Sequence, residues 1–272
     1  MVRILASNQS SPGRVIIVDR YGNGDYDHIQ DAIDYAQTQA PADNDQYMIY
    51  VCAGKYYETL HLYDYINVSG LSPDGSVAII PTLAHAAIDN AANCWVSNLR
   101  VVSDYDPIMK TGVAAGGKVL YLTNIISDEY QSETDILQVA SGTVIMKQCD
   151  LRYGGSLQVT AGTLKIYDSK LDHYHISGGA PTERTLTIDA GTTTEIVRTI
   201  IDNTSPAGEA VYFNGVPTSA KLLQCILRKS AAATHTIAAA TAVSIMAARC
   251  LLNASVSSEV TIPALNDVNS GI

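Results

Sequence analysis

One Phe and one Trp occur in 272 residues, so large apolar rings cannot organise the core of this chain. Ala, Val, Ile, Leu and Thr must fill it instead, and an apolar content of 47% supplies enough for a sizeable interior. Charged residues are also sparse, at 16%, and that combination excludes a disordered chain. Cations are the scarcer sign: 17 Lys and Arg against 27 Asp and Glu give a net charge of −10. A nucleic-acid partner needs a basic face and is not expected; a cationic partner or plain solubility fits the charge. The five Cys (Cys52, Cys94, Cys149, Cys225, Cys250) are odd in number and lack a CxxC pair. They suggest neither a disulfide framework nor a zinc site, and no cofactor is implied. No run approaches the ~18 apolar residues of a membrane span. MVRILASNQSSPGR lacks the apolar stretch of a secretory signal. The expectation is synthesis in a reducing cytoplasm, with no membrane partner.

What the sequence does contain is a repeat hidden by loops of unequal length. The template is apolar, x, apolar, x, x, small or apolar, x, apolar. It fits Cys94–Val96–Leu99–Val101, Leu120–Leu122–Ile125–Ser127, Val144–Met146–Cys149–Leu151 and Leu164–Ile166–Ser169–Leu171. It continues through Thr194–Ile196–Thr199–Ile201, Ala220–Leu222–Cys225–Leu227 and Val243–Ile245–Ala248–Cys250. The mean period is about 25 residues. Alternation of two marks strands with one buried face, and the two free residues mid-template mark a bend. A further strand precedes each template and ends near Gly: Leu137 and Val139 before Gly142, Leu157 and Val159 before Gly162. Leu186 and Ile188 before Gly191, and Val211 and Phe213 before Gly215, repeat the arrangement. Gly there suits a turn with positive φ. Three short strands per repeat, stacked on themselves, make a β-solenoid.

The bend position is an independent check. It reads Asn98, Asn124, Gln148, Asp168, Arg198, Gln224 and Ala247. Asn tolerates the left-handed conformation a bend needs, and stacked amides can bond along the solenoid axis. Outward positions pair between coils as well: Lys165, Glu195 and Lys221 share a column, Asp150 sits over Lys170, and Asp168 over Arg198.

Residues 15–62 differ. Val15–Val18 reads as a strand and Gly22–Tyr26 as a turn. Asp27-x-x-Gln30 has the form of a capping box, followed by Ile29, Ala32, Ile33 and Ala36 on one helical face. A helix laid over the first coil would cover backbone groups that otherwise invite end-to-end pairing. Two segments carry a family likeness. They are Gly24-Asp25-Tyr26-x-x-Ile29-Gln30-x-Ala32-Ile33 and Tyr50-Val51-x-Ala53-Gly54-x-Tyr56-x-Glu58. They resemble the opening of the pectin lyase-like β-helix superfamily and are most similar to pectin methylesterases. The resemblance implies an all-β, single-stranded right-handed parallel β-helix of about eight to ten coils with an N-terminal capping helix. Residues 1–14 would be an arm and residues 15–272 the β-helix domain, of which 15–62 are the cap and first coil.

The resemblance does not carry an active site. Pectin methylesterases place two Asp and an Arg on the central coils, within Asp-Phe-x-Phe-Gly and Gly-Arg-Pro-Trp motifs. Here the sole Phe213 lies in Val-Tyr-Phe-Asn-Gly and the sole Trp95 in Cys-Trp-Val. The Asp pair and Gly-His-Gly of polygalacturonases are also missing, and no clear equivalent of a lyase calcium cluster is found. A new site could form where the longer loops leave one side of the repeat. That side gathers Asp104, Tyr105, Asp106, Glu129, Tyr130, Glu133, Asp172, His173, Tyr174, His175, Glu183 and Glu209. Acids with Tyr and His suit a glycan or partner surface, and two carboxylates at the right spacing suit glycoside hydrolysis. Solvated polar loops are the plain alternative. His173 and His175 with Asp172 could touch a metal on an extended segment, but no further convincing ligand accompanies them, so none is assigned. Cys149, Cys225 and Cys250 fall at inward positions and read as small core residues.

A β-helix without a signal, without inherited catalytic motifs and with unpaired Cys resembles the solenoid proteins of phage particles. That resemblance implies a non-enzymatic virion protein, a capsid decoration or spike, with a protein partner in the particle. A homotrimer is expected, because the C-terminal end has no device matching the N-terminal helix. The alternatives are a polysaccharide-binding or -degrading β-helix of tailspike or pectinase kind, and a cytoplasmic protein with a divergent hydrolase site.

Overall fold

The computed structural model describes residues 14–81, 88–89, 93–103, 109–111, 117–129, 137–153, 156–173, 184–204, 208–229, 233–262 and 269–270. Each complete coil presents three strands. In one of them Leu157–Val159 lies on a third face, Thr163–Tyr167 leads into the bend, and Lys170–His173 trails out of it. Each pairs in parallel with its counterpart on the next coil. The third face is an eight-stranded parallel sheet running from Leu60–His61 to Ile237–Ala239. The leading and trailing faces join at the bend into a larger parallel sheet. The result is a right-handed parallel β-helix, the hand that twisted strands impose on parallel crossovers.

The core follows from the alternation. Ile166, Ile196 and Leu222 are register partners on successive coils and are all buried. The third face contributes Leu157, Val159, Leu186, Ile188, Val211 and Phe213, also buried. Among the described residues Phe213 is the largest fully buried side chain, in a core built mainly from aliphatics with Tyr47 and Tyr56 at the N-terminal end.

The bend repeats with little variation. Asn98, Asn124, Gln148, Asp168, Arg198 and Gln224 have φ between 48° and 55°. The expected amide stacking occurs where Asn124 Nδ2 donates to Asn98 Oδ1 at 3.0 Å. Arg198 donates twice to Asp168, at 2.6 and 2.9 Å. The last coil departs from the expected register. Leu222 pairs with Ala247 and Leu227 with Leu252, so the template there is Ile245–Ala247–Cys250–Leu252, and Arg249, at φ 54°, is the bend residue in place of Ala247. The slip is two residues, which leaves the inward face unchanged and so is invisible to the apolar pattern. The outward columns have the expected register but not always the expected bonds. Lys165, Glu195 and Lys221 are aligned, while Glu195 accepts from the Tyr167 hydroxyl at 2.9 Å. Asp150 lies beside Lys170, yet it pairs with Arg152 at 3.6 Å.

Of the turn glycines, Gly142, Gly162 and Gly191 have the expected positive φ. Gly215 is required for a different reason: a Cβ there would stand 2.8 Å from the Ala190 Cβ.

At the N-terminal end Arg14–Val18 pairs with Tyr47–Val51, and the helix Ile29–Thr38 covers the first coil with Ile29, Ala32, Ile33 and Ala36 buried. Asp27 does not cap this helix; the N-cap is His28, without a side-chain bond. Glu58 serves instead from another strand: its carboxylate accepts from the Ile29 N–H at 3.0 Å and the Gln30 N–H at 2.7 Å. Gln30 is drawn away from the box as well, accepting from the His61 N–H at 2.8 Å. Tertiary capping thus replaces the local one. The motif residues explain themselves here: Asp25 accepts from the Ile17 N–H at 2.8 Å, and a Cβ on Gly24 would lie 2.6 Å from the Ile17 carbonyl. At the other end Val260–Thr261 pairs with Val243–Ser244, and the polar tail contributes a strand, Asn269–Ser270, against Leu251–Leu252.

Candidate functional site

Most of the longer connections follow the trailing strands, so that face and its borders are where a site would form. Its outward column, one place beyond the eight-residue template, carries Arg152, Asp172, Asp202 and Arg228 on four successive coils. Parallel strands lie ~4.8 Å apart, which brings Asp172 and Asp202 onto neighbouring rungs. Two carboxylates so placed are the raw material of glycoside hydrolysis. Each already has a basic neighbour: Lys170 Nζ lies 2.7 Å from Asp172 Oδ2, and Arg228 Nη1 lies 3.1 Å from Asp202 Oδ2. At the bend, Arg198 holds the Asp168 carboxyl below its ordinary range by hydrogen bonding. Within the column only Asp202–Arg228 bridges two coils; Asp172 and Arg152 pair inside their own strands.

Strand geometry also separates the expected Asp172-His173 pair. The strand Lys170–His173 continues through both, so Asp172 faces out while His173 turns inward and is fully buried beside Asn203. His173 therefore does not share a surface with Asp172. Glu129 ends the strand Val119–Glu129. Asp104, Tyr105, Asp106, Tyr130, Glu133, Tyr174, His175 and Glu183 lie outside the described residues. Among the described residues, no three His, Cys, Asp or Glu side chains group to hold a metal ion. Among them too, no helix is long and apolar enough to cross a membrane.

The third face offers a different surface. Its outward column runs Gln138, Gln158, Thr187 and Tyr212. Tyr212 is covered by the Arg184 guanidinium, 3.2 Å from the ring centroid, and Arg184 Nε is held by Glu209 Oε2 at 3.2 Å. This Glu–Arg–Tyr stack and the Asp202–Arg228 pair were not anticipated from the sequence. The second had a readable signal, because Asp202 and Arg228 occupy the same repeat position as Asp172.

Fold and site together define a right-handed parallel β-helix in which Asp150, Asp168, Asp172 and Asp202 are held in ion pairs. In comparison with solved structures the chain superposes on pectin methylesterase from carrot, with a TM-score of 0.54 at 12% identity, over 94% of this chain and 88% of that one. At such identity the likeness shows the fold alone. No family model and no curated protein matches the sequence. The two residues that mark the departure from pectin methylesterase motifs have structural posts: Phe213 fills the core, and Trp95 Nε1 donates to Thr123 Oγ1 at 3.1 Å.

Proposed function

We propose that this protein is a non-enzymatic structural component of a phage particle, a capsid decoration or spike subunit that works as a rigid trimeric β-helix. The observation that carries the reading is the commitment of the bend and trailing-face carboxylates to neighbours. Asp150, Asp168, Asp172 and Asp202 pair with Arg152, Arg198, Lys170 and Arg228. A reaction centre needs an acid free to exchange its proton, and these four carboxylates are already engaged, two of them (Asp168 and Asp202) with a cation on the next coil. The absence of the pectin methylesterase motifs from the sequence supports the same reading. The trimer rests on the unequal ends of the rod and on the preference of assemblies for closed symmetry.

Native mass measurement and light scattering of the purified protein are expected to give a trimer, and antibodies raised against it are expected to decorate virus particles. Incubation with pectin, polygalacturonate or bacterial glycans should release neither methanol nor reducing ends. Release that disappears in Asp172→Ala or Asp202→Ala would establish the carbohydrate-degrading alternative instead. A stable monomer at micromolar concentration would remove the trimer.

A further inference from the structure

The corrected register of the last coil brings two cysteines together. One inward column, immediately after the bend, runs Cys149, Ser169, Thr199, Cys225, Cys250 on successive coils. Cys225 and Cys250 are direct neighbours: the Leu251 N–H donates to the Cys225 carbonyl at 2.9 Å, and Ile226 pairs with Leu251. Neighbouring strands at ~4.8 Å fall inside the roughly 4.4–6.8 Å Cα separation that a disulfide accepts. The side chains point the same way. Cys225 Sγ lies 3.3 Å from the Leu223 carbonyl, and Cys250 Sγ reaches back 3.3 Å to the Leu222 carbonyl on the coil that holds Cys225. Both are free thiols and both are buried. Cys149 has the same posture but is separated from the pair by Ser169 and Thr199, and burial pushes its thiol up to about 11.

We infer that Cys225 and Cys250 form an oxidation site, a dithiol that a small-molecule disulfide converts into a covalent staple between the last two coils. A hydrogen bond from the Cys225 thiol lowers the Cys250 pKa, while the same contact raises that of Cys225. Cys250, immediately before the two-residue strand Leu251–Leu252 at the tapering end, is the first nucleophile. Its thiolate attacks one sulfur of the small disulfide, the S–S bond breaks, and one small thiolate leaves and takes up the released proton. The Cys225 sulfur, giving up its proton, then attacks Cys250 Sγ and expels the second small thiol, which carries that proton away. Two cysteines are oxidised and one small disulfide is reduced to two thiols. Reaction requires the terminal coil to open. The Leu251–Leu252 strand is two residues long, and Leu251 is 46% exposed, so this end is the one positioned to do so. A chain made in a reducing compartment would thus keep the dithiol open and close it on reaching an oxidising one.

The test uses the full chain carrying Cys52→Ser, which removes the one partly exposed thiol. The folded, reduced protein is treated with oxidised glutathione, quenched, unfolded and alkylated. Alkylation is expected at Cys94 and Cys149 alone, with a digest containing Cys225 joined to Cys250 and no retained glutathione. Alkylation of all four thiols, or glutathione retained on Cys225 or Cys250, would overturn the inference. So would a link involving Cys149. Treatment of Cys225→Ala is expected to leave Cys250 as a mixed disulfide with glutathione, and an unmodified Cys250 there would equally count against it.

Discussion

The two ends of the solenoid meet the same hazard by different means. A coil end leaves backbone N–H and C=O groups without a next strand, a template for aggregation. At the N-terminal end an amphipathic helix buries four residues over the first coil, and Glu58 from a separate strand secures its first turn. At the C-terminal end the strands dwindle to two residues each, at Leu251–Leu252, Val260–Thr261 and Asn269–Ser270. Met246 and Leu251 remain 42% and 46% exposed there. One end is closed by tertiary packing; the other, among the described residues, tapers through short strands.

Changes to the stack between the ends should break both alike. Ile196 is fully buried between Ile166 and Leu222, so Ile196→Asp should cost about 4 kcal/mol or more, abolishing any difference between the ends in a chemical denaturation. Glu58→Ala removes both acceptors of the helix N-terminus and should cost about 2–3 kcal/mol. Hydrogen exchange should then quicken in residues 29–38 and stay unchanged beyond residue 200. Deleting Pro263–Ile272 removes the Asn269–Ser270 strand. It should cost about 1 kcal/mol and weaken the proposed trimer, with cap exchange unaltered. The exposed Asp168–Arg198 pair should matter least: Asp168→Ala is expected to lower the melting temperature slightly, by an amount that vanishes in high salt.

Acid sharpens the contrast at the cap. Burial raises the Glu58 pKa, and the bonds from Gln30 and Ile29 only partly oppose this. A carboxyl whose pKa is raised by folding binds its proton more tightly in the native state. Its contribution to stability is therefore greatest below the unfolded value and falls as pH rises through the folded one. Cap protection in hydrogen exchange, corrected for intrinsic rates, should accordingly decline as pH rises above the ordinary carboxylate range, a trend absent from Glu58→Gln.

The sequence made the solenoid legible because its strands alternate and its bend favours amide side chains at Asn98, Asn124, Gln148 and Gln224. It misled at the last coil, where both Val243–Ile245–Ala248–Cys250 and Ile245–Ala247–Cys250–Leu252 satisfy the apolar template. Arg249 at the bend gave no amide to choose between them. The cap was legible as a helix, but not its fastening. Asp27 looks like a local cap, and the winning acceptor, Glu58, is 29 residues from Ile29. At the surface, acids could be located but not their commitments, since pairing with Lys170 or Arg228 depends on which side chains share a rung.

The spacing between Leu151 and Leu157 is six residues, and between Leu171 and Leu186 it is fifteen, both across the seam from trailing to third face. Across the bend, the spacing from first to last template residue never changes. Length variation along that seam leaves the hydrogen-bonded faces in register, so the molecule is modular in one direction.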